Sequence, residues 1–437
     1  MTATIDVLHI TPHLGGGVGK ALSGLVRATT EGNYKQKHIF VCLEKPEKSQ
    51  FVQHILDAGG LIVVCPNREA LQQHIASADI VQLEWWNHPA IFAALCGLPN
   101  LTARLLVWCH QSGLINPVIP AGLVDASSQF VLTSSCSLAA PNIQGTQAEK
   151  DGRVTIISSG VGCEDLPGPE ERPSRPTHRM VAGYLGSLNF SKLHPDYVAW
   201  LSSVDDPAFQ VKVVGDESNR SVLQQQCMES GRPNLLVFRG YTTDVVAELA
   251  RIDILIYLLN PSHYGTAENA LLEAMAMGVV PIVLNNAAEM AIVHHGVTGM
   301  VVSTKQDFMN AVEYLMDNPA KRQAMGKRAA AYVKQRFTRK CLASAFNNVY
   351  QHIMLQQRTN VNFINIFGLE PHNWFLSCQA ENSIFIMNGI LTTHDQKTLP
   401  HGIFEKTKGG VFQFQRYFPC DSFLLNWCRA LDRINAS

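Results

Sequence analysis

The segment 261–278, PSHYGTAENALLEAMAMG, holds two carboxylates, Glu268 and Glu273, in otherwise uncharged surroundings. Thr266 is placed to cap a helix, and Gly278 to end one in the left-handed backbone region that favours glycine. Between them Ala270, Leu271, Leu272, Ala274, Met275, Ala276 and Met277 make the helix apolar on nearly every face, as in a buried helix. A carboxylate in such a helix is costly unless hydrogen-bond donors meet it. For Glu273 the donors are either hydroxyls of a bound sugar or an internal Arg or Lys. Glu268 and Asn269 stand in the first turn, where an acid suits the positive end of the helix dipole whether or not it meets a ligand.

A second candidate is the glycine loop Gly15, Gly16, Gly17, Val18, Gly19, Lys20. The nucleoside triphosphate loop G-x-x-x-x-G-K-[ST] fails at Leu14 and at Ala21. The dinucleotide fingerprint G-x-G-x-x-G fails at Lys20 or at Leu22, depending on its start. What remains is either a tight turn or backbone N–H groups free to approach an anion at a helix start. His110 ends the apolar run LLVWCH; a histidine there can hydrogen-bond a sugar hydroxyl or move a proton near neutral pH. Trp85, Trp86, Asn87 and His88 end another run, where the rings either stack on a ligand or pack in the core. His9 and His13 are four apart, but Pro12 breaks the helical spacing that a metal-binding pair needs. His294 and His295 precede Gly296 in a turn.

These residues need a scaffold, and the chain's periodicity predicts it. Apolar runs at 6–10, 38–43, 61–65, 80–83, 105–109, 130–133 and 154–157 alternate with helical stretches. Several are continuous rather than alternating, the pattern of strands buried on both faces of a parallel sheet. The arrangement repeats at 181–185, 211–214, 235–238, 254–258, 280–284 and 300–302, followed by helical stretches at 307–317, 319–336 and 338–356. Between the halves, 163–178 carries four prolines and four acids in sixteen residues and reads as a linker. The reading is an α/β chain of two doubly wound domains, 1–162 and 179–357. An appended module, 358–437, is rich in aromatics and turns, with some β structure expected. It is either a packing extension on the second domain or an acceptor or partner site.

Composition excludes several classes. Of 437 residues 46% are hydrophobic and 16% charged, so large cores are affordable and disorder is not expected. Lys plus Arg number 35 against 36 Asp plus Glu, which leaves no basic excess for nucleic acid. No apolar run is long enough to span a bilayer, and MTATIDVLHI lacks the basic start of a signal peptide. The 11 cysteines form no C-x-x-C pair. These features predict a reduced, cytoplasmic protein.

Over roughly residues 1–357 the sequence resembles the retaining glycosyltransferases of family 4, which have the GT-B fold of two Rossmann-like domains facing a cleft. LLEAMAMGVVPIVLNNAAEMAIVHHGVTGMVV resembles their donor-site signature, with Glu273 as the second acid of E-x7-E. NPAKRQAMGKRAAAYVKQRFT resembles their closing helices, and GYLGSLNFSK the segment that carries a diphosphate-binding Lys, here Lys192. VVGD at 213–216 and FRGY at 238–241 resemble the strand ends that frame the nucleotide. Two positions depart: Gly265 stands where the first acid of E-x7-E belongs, and Ser187 where an Arg often precedes the Lys.

The resemblance implies a UDP- or GDP-linked sugar donor held mostly by the second domain, with no metal required. Glu273 would hold the ribose. Lys192 and the backbone near Gly15, Gly16, Gly17, Thr266, Ala267 and Glu268 would stabilise the diphosphate. Ser187, Gly240, Tyr241, Gly265 and Asn269 would line the donor. His110 would lie near the donor sugar, and Glu268 stands as the candidate replacement for the missing acid. The resemblance further implies front-face attack by the hydroxyl of a sugar or glycolipid acceptor, with the leaving phosphate as base. The setting it implies is polysaccharide or glycoconjugate synthesis, with peripheral association at the inner membrane face. Two alternatives stay open. Gly265 and Ser187 suggest a non-catalytic nucleotide-sugar-binding or regulatory protein of the same fold. Glu44, after the second strand, suggests an NAD-dependent oxidoreductase, against which the broken glycine fingerprint stands.

Overall fold

The computed structural model describes residues 4–46, 49–98, 100–172, 179–381, 383–387, 389–393, 399, 401–404, 406 and 409–436. The chain forms two compact units. The first comprises Met1–Val161, Tyr264–Ala267 and Arg339–Ser437; the second comprises Gly162–His263 and Glu268–Thr338.

The first unit is built on β1 (Ile5–Thr11), β2 (Gln36–Cys42), β3 (Leu61–Val64), β4 (Ile80–Trp85), β5 (Leu101–Ala103), β6 (Leu105–Cys109), β7 (Gln129–Leu132) and β8 (Val154–Ile156). Seven of these form a parallel sheet in the order β3-β2-β1-β4-β6-β7-β8. The second unit has β9 (Ala182–Leu185), β10 (Val211–Val214), β11 (Leu236–Gly240), β12 (Ile254–Tyr257), β13 (Val280–Leu284) and β14 (Met300–Val302). They form a parallel sheet in the order β11-β10-β9-β12-β13-β14. Both orders reverse beside the first strand, the doubly wound arrangement whose ligands bind beyond the carboxyl ends of the strands at that reversal.

The continuous apolar runs are explained by two-sided burial. In β1, Leu8 and Ile10 join one core while Ile5 and Val7 join the other. The second unit packs around one core of its own, to which the helix Asn269–Ala276 gives Leu271, Leu272, Ala274, Met275 and Ala276.

Three expectations differ from the structure. The helix Arg339–Met354 belongs to the first unit rather than the second: its Leu342, Phe346 and Tyr350 share a core with Leu22, Leu25 and Trp108. The C-terminal segment likewise packs on the first unit. Its Phe367, Phe375, Phe414 and Trp427 share the core on the sheet face that carries Trp85, together with Phe92 of the helix Pro89–Cys96. That segment is helical, through Pro371–Ser377, Val411–Tyr417 and Ser422–Ala436, with one short strand, β15 (Thr359–Val361), pairing antiparallel with β5. Within the expected linker, short helical turns form at Cys163–Asp165 and Pro169–Glu171, and 173–178 lies outside the described residues. Among the described residues no helix is long and apolar enough to cross a membrane.

Candidate active site

In the second unit the site starts from a close approach of two loops. Gly215 follows β10, and a Cβ there would stand 1.9 Å from the carbonyl oxygen of Gly186, which follows β9. No side chain fits, which explains the glycine in VVGD. Asp216, next along, accepts from Ser218 N at 3.0 Å and Leu188 N at 3.4 Å. Burial works to raise its pKa, but hydrogen bonds from Ser187 and Ser218 outweigh it and hold the carboxyl below its usual range. Ser187, at the position of the expected Arg, therefore ties two loops together.

The turn that follows fixes Lys192. Its N–H donates to Asn189 O at 2.9 Å, and its carbonyl accepts from Asn260 N at 2.7 Å. Asn260 Nδ2 in turn donates to Phe190 O at 2.7 Å. The Lys192 ammonium, partly exposed, lies 2.8 Å from Glu268 Oε2 and 5.7 Å from the centre of the Tyr257 ring.

Glu268 is only 4% exposed and is met from three sides. Besides Lys192, the Tyr257 hydroxyl donates to Oε2 at 2.7 Å, and His263 Nδ1 lies 3.9 Å from Oε1. Burial alone would raise the carboxyl. The charges of Lys192 and His263 and the hydrogen bonds from Lys192 and Tyr257 instead hold its pKa down at about 2. His263 Nε2 lies 2.9 Å from Glu289, which is fully buried. Burial opposes the His263 cation, but the Glu289 hydrogen bond and the charges of both glutamates raise its pKa. Donor atoms of His263, Glu268 and Glu289 lie within 4.8 Å of one another, a spacing that could take a cation. Lys192 and, when protonated, His263 supply the counter-charges to the two carboxylates.

The helix begins later than the sequence suggested. Its N-cap residue is Glu268, not Thr266, and its first residue is Asn269. The Thr266 hydroxyl instead meets that of Thr133 at 2.6 Å, within the first unit, where Tyr264 O also accepts from Ser112 N at 2.9 Å. Gly265 and Ala267, half-buried, belong to that same segment. Gly278 does follow the helix in the left-handed region, at φ +75°. Glu273 is half-buried rather than buried: it faces away from the side that carries Leu271, Leu272 and Met275. Gly240 ends β11 at φ +77°, and Tyr241 beside it is 64% exposed.

In the first unit Gly15 caps the helix Gly16–Glu31, and Gly16 and Gly17 are exposed in its first turn. His110 follows β6, with its N–H on Trp85 O at 2.8 Å. Its Nε2 lies 2.9 Å from Glu84 Oε2, and His9 Nδ1 lies 2.9 Å from Glu84 Oε1. His9 Nε2 continues to His38 Nδ1 at 2.9 Å. Burial works to raise Glu84, but hydrogen bonds from His110 and His9 lower it, so the carboxylate is ionised. His38 is held neutral by burial, and its pKa is pushed further down by His9. Glu84 Oε2 thus engages His110 Nε2, and His110 Nδ1 is buried without a partner. Of the tryptophan pair, Trp85 is in the core and Trp86 is half-buried.

The structure thus brings Lys192 and Glu268 together in the second unit and sets His110 on a buried chain of ionisable groups in the first. Sequence reasoning missed Glu84, His263 and Glu289. Glu84 had a signal, as the lone acid inside a strand that is otherwise uncharged. Glu289 lies in a short helix after β13 with no such mark.

Residues 170–332 match the family described as Glycosyl transferases group 1. No curated protein matches the chain. Among solved structures it is similar to a glycosyltransferase from Rickettsia africae at 15% identity and a TM-score of 0.60, covering 80% of this chain and 99% of that one. It is similar to Anabaena HepE, solved with UDP and glucose, at 17% identity and a TM-score of 0.61, covering 80% and 100%. The sucrose-phosphate synthase of Thermosynechococcus elongatus is 14% identical with a TM-score of 0.62, covering 80% and 99%. At these identities the likeness is one of fold. The chain has the two parallel-sheet, Rossmann-like units of the GT-B fold, and residues 170–332 of it carry the sequence pattern of the glycosyl transferases group 1 family.

Proposed function

We propose that the chain is a retaining glycosyltransferase of family 4 type, moving a sugar from a UDP- or GDP-linked donor to an acceptor hydroxyl. The observation that carries this reading is Lys192: a cation at the strand ends beside the β9–β12 reversal, held by a buried carboxylate, inside the segment that matches the family. In this role Lys192 neutralises charge developing on the leaving diphosphate, usually the largest catalytic contribution. Glu268 acts through Lys192 rather than on the sugar. When Lys192 turns to the diphosphate, the Tyr257 hydroxyl and the His263 ring remain beside Glu268.

Glu273 holds the ribose hydroxyls. Backbone groups of Gly15, Gly16, Gly17, Thr266, Ala267 and Asn269 face the phosphates, and Ser187, Gly240, Tyr241 and Gly265 line the donor. His110 hydrogen-bonds a hydroxyl of the donor sugar or helps to move its proton. The acceptor attacks from the front face and the leaving phosphate takes its proton, with no metal required. The acceptor is a sugar or glycolipid, and the setting is polysaccharide or glycoconjugate synthesis in the cytoplasm, with peripheral attachment to the inner membrane face. The structures of Anabaena HepE with UDP and with UDP-glucose support trying uridine donors first.

A second reading, nucleotide-sugar binding without catalysis, is favoured by Gly265 and by the burial of Glu268 against Lys192. Calorimetric binding of UDP, GDP and their sugars, followed by assays of transfer and donor hydrolysis, separates the two. Binding with turnover supports the enzyme, binding without turnover supports the second reading, and no binding of any nucleotide sinks both.

A further inference from the structure

The C-terminal segment reaches the same strand ends as His110. Asn87, in the loop after β4, donates from Nδ2 to Gly409 O at 3.0 Å. A Cβ on Gly409 would stand 2.2 Å from Asn87 O, and its φ is +77°, so only glycine fits. The helix Val411–Tyr417 follows directly. It sets the Tyr417 ring edge-on to His88, with centroids 5.6 Å apart, and the Gln413 amide nitrogen 3.1 Å from His88 Nε2.

The effect falls on Asn87, which is 2% exposed. Gly409 takes the amide hydrogen and so fixes which end of the amide is the oxygen. Asn87 N donates to Gln111 Oε1 at 3.1 Å, and Asn87 Oδ1 is left buried without a partner. His110 Nδ1 is in the same condition. Between Asn87 in sequence and His110 in space stands Trp86, half-buried, its ring 6.0 Å from His110 and 5.6 Å from His13. Buried polar atoms without partners are costly, and their presence points to a ligand that meets them. A sugar ring does so with its hydroxyls, while its C–H face stacks on an indole.

We propose that residues 409–417 are built into a carbohydrate-binding site of the first unit, in which Asn87 Oδ1 accepts from a hydroxyl of the acceptor sugar and Trp86 stacks on its ring. Gly409 is the positioning residue for Asn87, and Tyr417 closes the edge beside His88. Assigning the bound sugar as the acceptor rests on the glycosyl-transfer reading; the carbohydrate site does not.

The test uses the full chain and p-nitrophenyl glucosides, galactosides and N-acetylglucosaminides of both anomers, with binding followed by saturation-transfer NMR with and without UDP. At least one glycoside is expected to bind. Its affinity is expected to fall about tenfold in Asn87→Leu, the loss of one hydrogen bond, and similarly in Gly409→Ala, with UDP affinity unchanged. Should Gly409→Ala not fold, Tyr417→Ala tests the same segment from a half-buried position. Binding of none of these glycosides, or binding that Asn87→Leu and Tyr417→Ala leave unaltered, overturns the proposal. Asn87-dependent glycoside binding in a chain that binds neither UDP nor GDP and transfers no sugar keeps this site and removes the transferase reading. Donor turnover with no glycoside binding does the reverse.

Discussion

At the level of single residues, the Lys192–Glu268 pair gives the sharpest expectations. Lys192→Ala leaves a buried carboxylate short of its main counter-charge, which typically costs about 3–5 kcal/mol, less here because Lys192 is partly exposed. In the double variant Lys192→Met with Glu268→Gln that cost should largely vanish, and urea unfolding of the parent and both variants checks it. Under the transferase reading, Lys192→Ala also lowers turnover more than nucleotide affinity, because the charge it meets develops in the transition state. Equal turnover would remove Lys192 from that role. The pair also predicts acid sensitivity. Glu268 has a folded pKa of about 2 against an ordinary 4.5, so its stabilisation is complete above about 4.5 and is lost as pH falls toward 2. The shift corresponds to about 3 kcal/mol, and Glu268→Gln should flatten the stability profile across that window. His263 acts in the opposite sense: its pKa is raised, so its contribution is complete below about 6.5 and fades as pH rises through the folded value. Sequence alone marked Lys192 and Glu268 individually, but their pairing depends on strands β9 and β12 lying side by side. A helix-dipole reading of Glu268 was equally open until Tyr257 and His263 were placed around it.

At the level of elements, the strands were legible because both faces of each sheet are covered, which forces unbroken apolar runs such as β13. The end of the helix Asn269–Ala276 was legible too, since Gly278 must take a left-handed φ. Its start was not. Thr266 has the right chemistry for a cap, but tertiary contact with Thr133 claims its hydroxyl, and the helix starts after Glu268. The glycines were visible as candidate phosphate contacts, yet Gly215 has a reason that no local pattern shows: the backbone of Gly186 fills the space of a side chain. Gly215→Ala should therefore push β9 and β10 apart at their ends, where Lys192 and Asp216 follow. Overpacking of this kind costs about 1–3 kcal/mol and more against backbone. Thermal unfolding should show that loss, and UDP affinity should fall with it; a variant as stable as the parent would mean that the two loops separate freely.

At the scale of the whole molecule, the aromatic texture after residue 358 was readable as a distinct segment, but not what it covers. Aromatic rings suit a packed core in either secondary structure, and only the fold reveals that Trp427 and Phe375 bury the face of the first sheet rather than extend the second domain. The two units thus have separate cores, and separate perturbations should reach them. Trp427 is fully buried, and its Nε1–H donates to Ile390 O at 3.1 Å. Trp427→Ala removes a large core side chain at a typical cost of about 3–5 kcal/mol, all of it falling on the first unit. A nucleotide held by the second unit acts on the other core: at one hundred times its dissociation constant, UDP should stabilise it by about 2.7 kcal/mol. Scanning calorimetry of parent and variant, each with and without UDP, reads both effects. Trp427→Ala should lower one transition and UDP raise the other, with each shift independent of the other perturbation. If every shift moves both transitions together, the units unfold as one cooperative body, and the separate cores do not confer separate stabilities. If UDP raises the transition that Trp427→Ala lowers, the nucleotide is held by the first unit, and the assignment of its phosphates to Lys192 falls.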